Sequence, residues 1–231
     1  MTQSHINKTV GIHRIYFKII LYLVVLINSY SCYAGSYEDF FQAIKADDGI
    51  VVAALLARGF DGNSRDPNGQ PGLYLAVREK SLKVAAVLIG WNKIDVEGRS
   101  VTDESPLMLA SLNGLTDLAK KLVEKGADIN KTGWTPLHYA ATRGHLQIMS
   151  MLLDRYAYID ASSPNGTTPL MMAAFYGTPS AVKLLLEAGA DPLLKNDQGL
   201  SAVDFAHRNN RLDSAEIIAA FVRARQPKGK W

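Results

Sequence analysis

One six-residue pattern returns along most of the chain, and its spacing constrains the fold more than any other feature. Thr135-Pro136-Leu137-His138-Tyr139-Ala140 recurs 33 residues later as Thr168-Pro169-Leu170-Met171-Met172-Ala173, and 33 beyond that as Ser201-Ala202-Val203-Asp204-Phe205-Ala206. Upstream it recurs as Ser105-Pro106-Leu107-Met108-Leu109-Ala110, Pro71-Gly72-Leu73-Tyr74-Leu75-Ala76 and Glu38-Asp39-Phe40-Phe41-Gln42-Ala43, in steps of 30, 34 and 33 residues. A second pattern keeps the same phase: VVAALLARGFD at 51–61, LAKKLVEKGAD at 118–128 and AVKLLLEAGAD at 181–191. Self-similarity at this period means a solenoid of stacked units.

Residues 133–165 show what one unit is. Thr135 is a good helix N-cap, because its hydroxyl can accept from an orphan N–H of the first turn. Pro136 follows where a missing N–H costs nothing. Leu137, Ala140 and Ala141 make an apolar stripe at helical spacing, and Gly144 can end the helix in the left-handed conformation. A second helix is expected from about Leu146 to Asp154, with Ile148, Met149, Leu152 and Leu153 apolar, followed by a turn-rich loop. Such a first helix is too short to stand alone, since isolated helices below roughly 12–15 residues are marginal in water. Its stability has to come from its neighbours.

The Thr-Pro-Leu-His-Tyr-Ala hexamer, the Gly144-His145 pair and the Leu-Leu-x-x-Gly-Ala-Asp endings resemble the ankyrin repeat. The resemblance covers residues of about 36–231. It implies an all-α solenoid of about six helix-turn-helix repeats with hairpin-like finger loops, at about 36–68, 69–102, 103–132, 133–165, 166–198 and 199–231. In that setting Ala43, Ala76, Ala110, Ala140, Ala173 and Ala206 let adjacent repeats approach closely. Leu55, Leu88, Leu122, Leu152 and Leu185 fill the layer between repeats. The first repeat carries Glu38-Asp39 where Thr-Pro is usual, and the last ends in polar sequence, as expected of solenoid caps. The stretch between repeats three and four is three residues short, so that finger should be stunted. Repeat two ends in Gly90-Trp91 where Gly-Ala is usual. Tyr156 stands where other repeats have Gly59, Gly126 and Gly189, and a non-glycine in a left-handed cap costs about 1 kcal/mol.

Residues 1–34 read differently. A basic stretch ending in Lys18 precedes nine apolar residues (19–27, IILYLVVLI) and then Asn28-Ser29-Tyr30-Ser31-Cys32-Tyr33-Ala34. This is the layout of a secretory signal peptide, with cleavage expected after Ala34. A nine-residue helix spans about 14 Å, against about 30 Å of bilayer hydrocarbon. Two other readings are an uncleaved membrane anchor over 15–33 and lipidation at Cys32, for which only Ser31 fits well. A cleaved chain would be periplasmic, with the inner membrane or the extracellular space as alternatives. Cys32 is the only cysteine, so a chain cleaved after Ala34 has no disulfide, thiol nucleophile or thiolate metal site. The formal charge of +3 also lies in the leader: Lys8, Arg14 and Lys18 account for it, leaving 22 basic and 22 acidic residues. A neutral body argues against nucleic acid as a partner.

No nucleophile elbow, phosphate-cradling loop or zinc-protease helix is present. Asp61, Asn63 and Asp66 superficially suggest a calcium loop, but Arg65 falls at a ligand position and Asp66 where glycine is needed. His138 and His145 belong to the repeat scaffold, and His207 has no second ligand nearby in sequence. No cofactor, metal or catalytic residue is therefore expected, and an enzyme with a site between fingers is a remote alternative. What remains is a surface. The resemblance implies partner binding through the concave side, using finger tips and the first helix of each pair. The variable positions there are Trp134, Tyr139, Thr142 and Arg143 in repeat four, and Thr167, Met172, Phe175 and Tyr176 in repeat five. Glu104, Leu112 and Asn113 in repeat three and Arg78 and Glu79 in repeat two complete the set. Trp134, Tyr139, Arg143, Met172, Phe175 and Tyr176 are the expected contacts with a protein partner. The four aromatics could bury roughly 150–250 Å² each. The competing expectation is that Tyr139 and Phe175 pack between repeats.

Overall fold

The computed structural model describes residues 35–225, which form twelve helices in six antiparallel pairs. The pairs are α1 (35–45) with α2 (Gly49–Ala57), α3 (Gly72–Arg78) with α4 (Leu82–Gly90), and α5 (Pro106–Leu112) with α6 (Thr116–Glu124). They continue with α7 (Pro136–Arg143) and α8 (Leu146–Asp154), α9 (Pro169–Phe175) and α10 (Pro179–Glu187), and α11 (Ala202–Arg208) and α12 (Leu212–Arg225). Consecutive odd helices from α3 to α11 pack on one another, as do consecutive even helices, giving a two-layer solenoid. The leader, its cleavage site and residues 226–231 lie outside the described residues. No described helix is long and apolar enough to cross a membrane.

The in-phase residues build the core. Ala76, Ala110, Ala140, Ala173 and Ala206 are fully buried where odd helices meet, and Leu55, Leu88, Leu122, Leu152 and Leu185 are buried in the even layer. Each buried leucine is worth roughly 1.5–3 kcal/mol, which offsets the entropy of ordering such short helices. Close approach is tightest at Gly177, where a Cβ would collide with the carbonyl oxygens of Ala141 and Ala173.

Helix starts share one device. The third helical residue accepts the N–H of the capping residue: Met108 Sδ from Ser105, His138 Nδ1 from Thr135, Met171 Sδ from Thr168, and Asp204 Oδ2 from Ser201. The loops then tie repeats together through side chains that capture the backbone N–H of the next loop. Asn63 takes Asp95, Glu97 takes Asp128 and Asn130 takes Tyr158, each at 2.8 Å, and Asp160 takes Asp191 at 3.2 Å. At the far ends of the odd helices, Ser81 donates to Ile44 O, His145 Nε2 lies 3.1 Å from Leu112 O, and Arg211 donates to Gly177 O. Each repeat thus satisfies polar groups its neighbour could not satisfy alone.

Four fingers close with the same backbone bond, Asp66 N to Gln70 O, Ser100 N to Glu104 O, Ser163 N to Thr167 O and Asn196 N to Leu200 O, at 2.9–3.0 Å. The first also carries an antiparallel bridge, Arg65 with Pro71. The finger between repeats three and four has no such bond among the described residues, as its missing residues require. It is pegged instead by Lys131, which is buried, donates to Thr132 O at 3.0 Å and pairs with Asp103. Asp61, Asn63 and Asp66 are occupied by turn bonds and the loop ladder, and the described residues contain no His, Cys, Asp or Glu group suited to a metal.

Two local results concern the ends of repeats. Tyr156 holds the left-handed φ of 64° that glycines hold at Gly59, Gly126 and Gly189, with its side chain 86% exposed. The first repeat is a less polar cap than Glu38 and Asp39 suggest. Helix α2 contains no charged residue and leaves Ile50 84% exposed, with Val51 beside it also exposed. The polar residues lie in α1, whereas the outward face of α2 keeps the apolar character of an internal repeat.

Candidate partner-binding face

The last turns of the odd helices and the residues just before their caps line one side of the solenoid. Because the units are in phase, three rows run along it. Leu75, Leu109, Tyr139, Met172 and Phe205 form the first, Arg78, Leu112, Thr142, Phe175 and Arg208 the second, and Glu79, Asn113, Arg143, Tyr176 and Asn209 the third. All six expected contact residues except Trp134 belong to these rows, and Trp134 immediately precedes the cap of α7.

Their environments differ. Trp134 is half-buried, its ring edge-on to His138 at 5.2 Å between centroids. His138 is fully buried and braces two repeats. Its Nδ1 accepts the Thr135 N–H at 3.1 Å and meets the Thr135 hydroxyl at 2.9 Å, which assigns the proton to Nε2, 2.9 Å from Thr167 O. Burial pushes its pKa down to about 4, because a charged imidazolium there would be cut off from water.

Tyr139 is half-buried, and its hydroxyl donates to Glu104 Oε1 at 2.9 Å. Tyr74, two repeats away, donates to Glu104 Oε2 at 2.9 Å, and Thr102 adds a third donor at 3.2 Å. Burial first, and the Glu104 carboxylate second, raise both tyrosine pKa values. Tyr139 therefore both lines the face and holds repeats two, three and four together. Beside this clamp, Arg99 bonds Glu97 at 3.1 Å and Asp103 at 3.2 Å. Hydrogen bonds from Lys131 and Arg99 hold the Asp103 carboxyl below its ordinary value. Arg78 is paired with Glu79 at 2.9 Å.

Repeats four to six are arranged otherwise. Phe175 is half-buried and touches two rings, Tyr176 at 4.5 Å and Phe205 at 5.9 Å between centroids. Tyr176 is 56% exposed, and Met172 is half-buried in the same row as Phe205. Arg143 is exposed and makes no hydrogen bond or ion pair among the described residues. Arg208 is in the same condition one position along the second row. Phe205 and Arg208 belong to repeat six, beyond the variable positions of repeats two to five. Their signal is phase alone: they stand 33 residues after Met172 and Phe175.

Models of ankyrin repeats in three copies match residues 40–132 and 93–163, and a model of many-copy ankyrin repeats matches 156–206. The chain belongs to the ankyrin-repeat family. Curated ankyrin relatives include the ankyrin repeat and KH domain-containing protein mask-1 of Caenorhabditis elegans, 34% identical over 158 residues and 66% of this chain. Another is the nuclear factor NF-kappa-B p105 subunit of Gallus gallus, 34% identical over 166 residues and 67% of this chain. The match spans only 6% and 16% of those proteins. Among solved structures, a chain from the complex of the predatory endopeptidase Bd0816 of Bdellovibrio bacteriovorus with immunity protein Bd3460 superposes with a TM-score of 0.70 at 26% identity. That match covers 79% of this chain and 97% of the other. The ankyrin repeat domain of human ASB11 gives 0.71 at 26% identity, covering 83% and 88%. Ankyrin repeats are in general non-enzymatic modules that bind proteins, and this solenoid has their architecture.

Proposed function

We propose that the protein is an exported, non-enzymatic scaffold that captures a partner protein on the face formed by its odd helices and fingers. The observation that carries this reading is the half-buried ring cluster of Phe175 and Phe205 with the exposed Tyr176, flanked by the exposed Arg143 and Arg208, on the odd-helix face of repeats four to six. Preorganised repeats lose little entropy on binding, and exposed aromatics and arginines are the residue types that dominate interface energy. Trp134, Tyr139, Arg143, Met172, Phe175 and Tyr176 are the proposed contacts. The test is Trp134→Ala with Phe175→Ala in a pull-down from the exported fraction, read against circular dichroism. Loss of the partner with the fold retained supports the face, and loss of the fold makes the two aromatics structural.

Export rests on the leader. N-terminal sequencing of the exported protein should begin at Gly35, and an intact leader would mean a membrane-tethered scaffold. A second reading concerns the partner's identity. The solenoid matches nearly the whole of a chain from an endopeptidase–immunity complex, which favours a partner that is itself an exported peptidase. Inhibition of such a peptidase by the purified scaffold, lost in the Phe175→Ala variant, is the expected result.

A further inference from the structure

We infer that repeats four to six bind an extended acidic segment of the partner, with an apolar side chain on the aromatic patch and carboxylates meeting Arg143 and Arg208. The inference rests on the odd-helix face being the binding surface, and it specifies the chemistry recognised there. Phe175 is the centre, with Tyr176 and Phe205 rings in contact with it and Met172 in the adjoining row. Arg143 stands on the repeat before Phe175, and Arg208 on the repeat after it, on the same helix as Phe205.

Three observations set the charge preference. The third arginine of the same rows, Arg78, is already neutralised by Glu79 at 2.9 Å, whereas Arg143 and Arg208 have no partner among the described residues. The one carboxylate on α7, α9 and α11, Asp204, is engaged by Ser201 through its N–H at 2.8 Å and its hydroxyl at 2.6 Å, so it does not answer either guanidinium. Glu104, at the start of repeat three, is held by Tyr74 and Tyr139, and Glu79, in repeat two, is paired with Arg78. A guanidinium fork beside an aromatic face is suited to a carboxylate carried next to an apolar side chain. Arg143 and Arg208 lie two repeats apart. With packed helices roughly 8–10 Å apart, that separation is about 16–20 Å. An extended chain rises about 3.3 Å per residue, so the two acidic positions should fall about five to six residues apart with the apolar residue between them.

Panning a random dodecapeptide display library on the purified protein tests this. Enriched peptides should carry Asp or Glu on both sides of a Leu, Ile or aromatic residue at that spacing. In fluorescence anisotropy they should bind at least tenfold more weakly to Arg143→Glu and to Arg208→Glu, both checked for fold by circular dichroism. Replacing the peptide's matching acid by Lys should restore binding to the corresponding Glu variant. Enriched peptides without acidic preference, or binding indifferent to both charge reversals but lost in Phe175→Ala, overturn the acidic specificity and leave the binding face standing. Enriched peptides indifferent to Phe175→Ala as well, or no enrichment at all, overturn both. A single-stranded oligonucleotide probe that binds through the same two arginines would show that they serve phosphates and would overturn the inference too.

Discussion

Repeats two to four and repeats four to six share a fold and a face, but they use polar side chains in opposite ways. In the first group the charged and hydroxyl groups consume one another. Tyr74, Tyr139 and Thr102 converge on Glu104, Lys131 and Arg99 on Asp103, and Arg78 on Glu79. In the second group the apolar residues cluster and the two arginines are left over. The Lys131–Asp103 pair coincides with the shortened finger, which lacks the closing backbone bond among the described residues. The Glu104 clamp sits on a finger that keeps that bond, Ser100 N to Glu104 O, and adds two tyrosine hydroxyls to it. In both places the polar groups are engaged with one another. Polar contacts between repeats thus concentrate in repeats two to four, and the proposed recognition surface lies in repeats four to six.

Breaking the clamp should have the largest effect. Glu104→Ala strands two tyrosine hydroxyls, one of them buried. Hydrogen bonds to charged groups are worth about 1.5–3 kcal/mol each, so a loss of about 3 kcal/mol is expected in urea denaturation, against a smaller loss for Glu104→Gln. Acidification comes next. The folded His138 pKa is about 4, below the ordinary imidazole value of 6.5, so the unfolded chain binds the proton first. The stability this confers is complete above pH 6.5 and is lost as pH falls from there to about 4, by roughly 2–3 kcal/mol. A His138→Gln variant should flatten that limb of a stability–pH curve, whatever its stability at neutral pH. Tyr156→Gly relieves the strained φ of 64° and should stabilise by about 1 kcal/mol in thermal denaturation. The smallest effect sharpens the comparison most. Arg143→Ala and Arg208→Ala should change stability by less than about 0.5 kcal/mol while weakening the partner. If either destabilised the stack as Glu104→Ala does, the division between the two regions would be wrong.

Much of this was legible in the residues. The period gave the stacking, Thr-Pro marked the starts of α7 and α9, and the second helix expected from Leu146 to Asp154 coincides with α8. The shortened finger and the left-handed Tyr156 could be read from spacing and from one substituted glycine. The face was legible as a set of variable positions, but the roles within it were not. Tyr139 could be read either as a contact residue or as packed between repeats, but not as one of two tyrosines holding a single carboxylate, Glu104, which lies 30 residues after Tyr74 and 35 before Tyr139. Lys131 is buried and pairs with Asp103, and nothing in the local sequence marks it. Phe205 and Arg208 are marked by phase alone, in a repeat whose motif departs from Thr-Pro.

The sequence by itself therefore determined the repeat, its two helices and its core positions, because these follow from periodicity and local capping, which short-range physics dictates; the side proposed for binding follows instead from the resemblance to ankyrin repeats. Only the tertiary structure decided which variable side chains are spent on holding the stack and which remain unpaired. That distinction depends on contacts between repeats about thirty residues apart, and no local pattern encodes whether a tyrosine or an arginine finds its partner there.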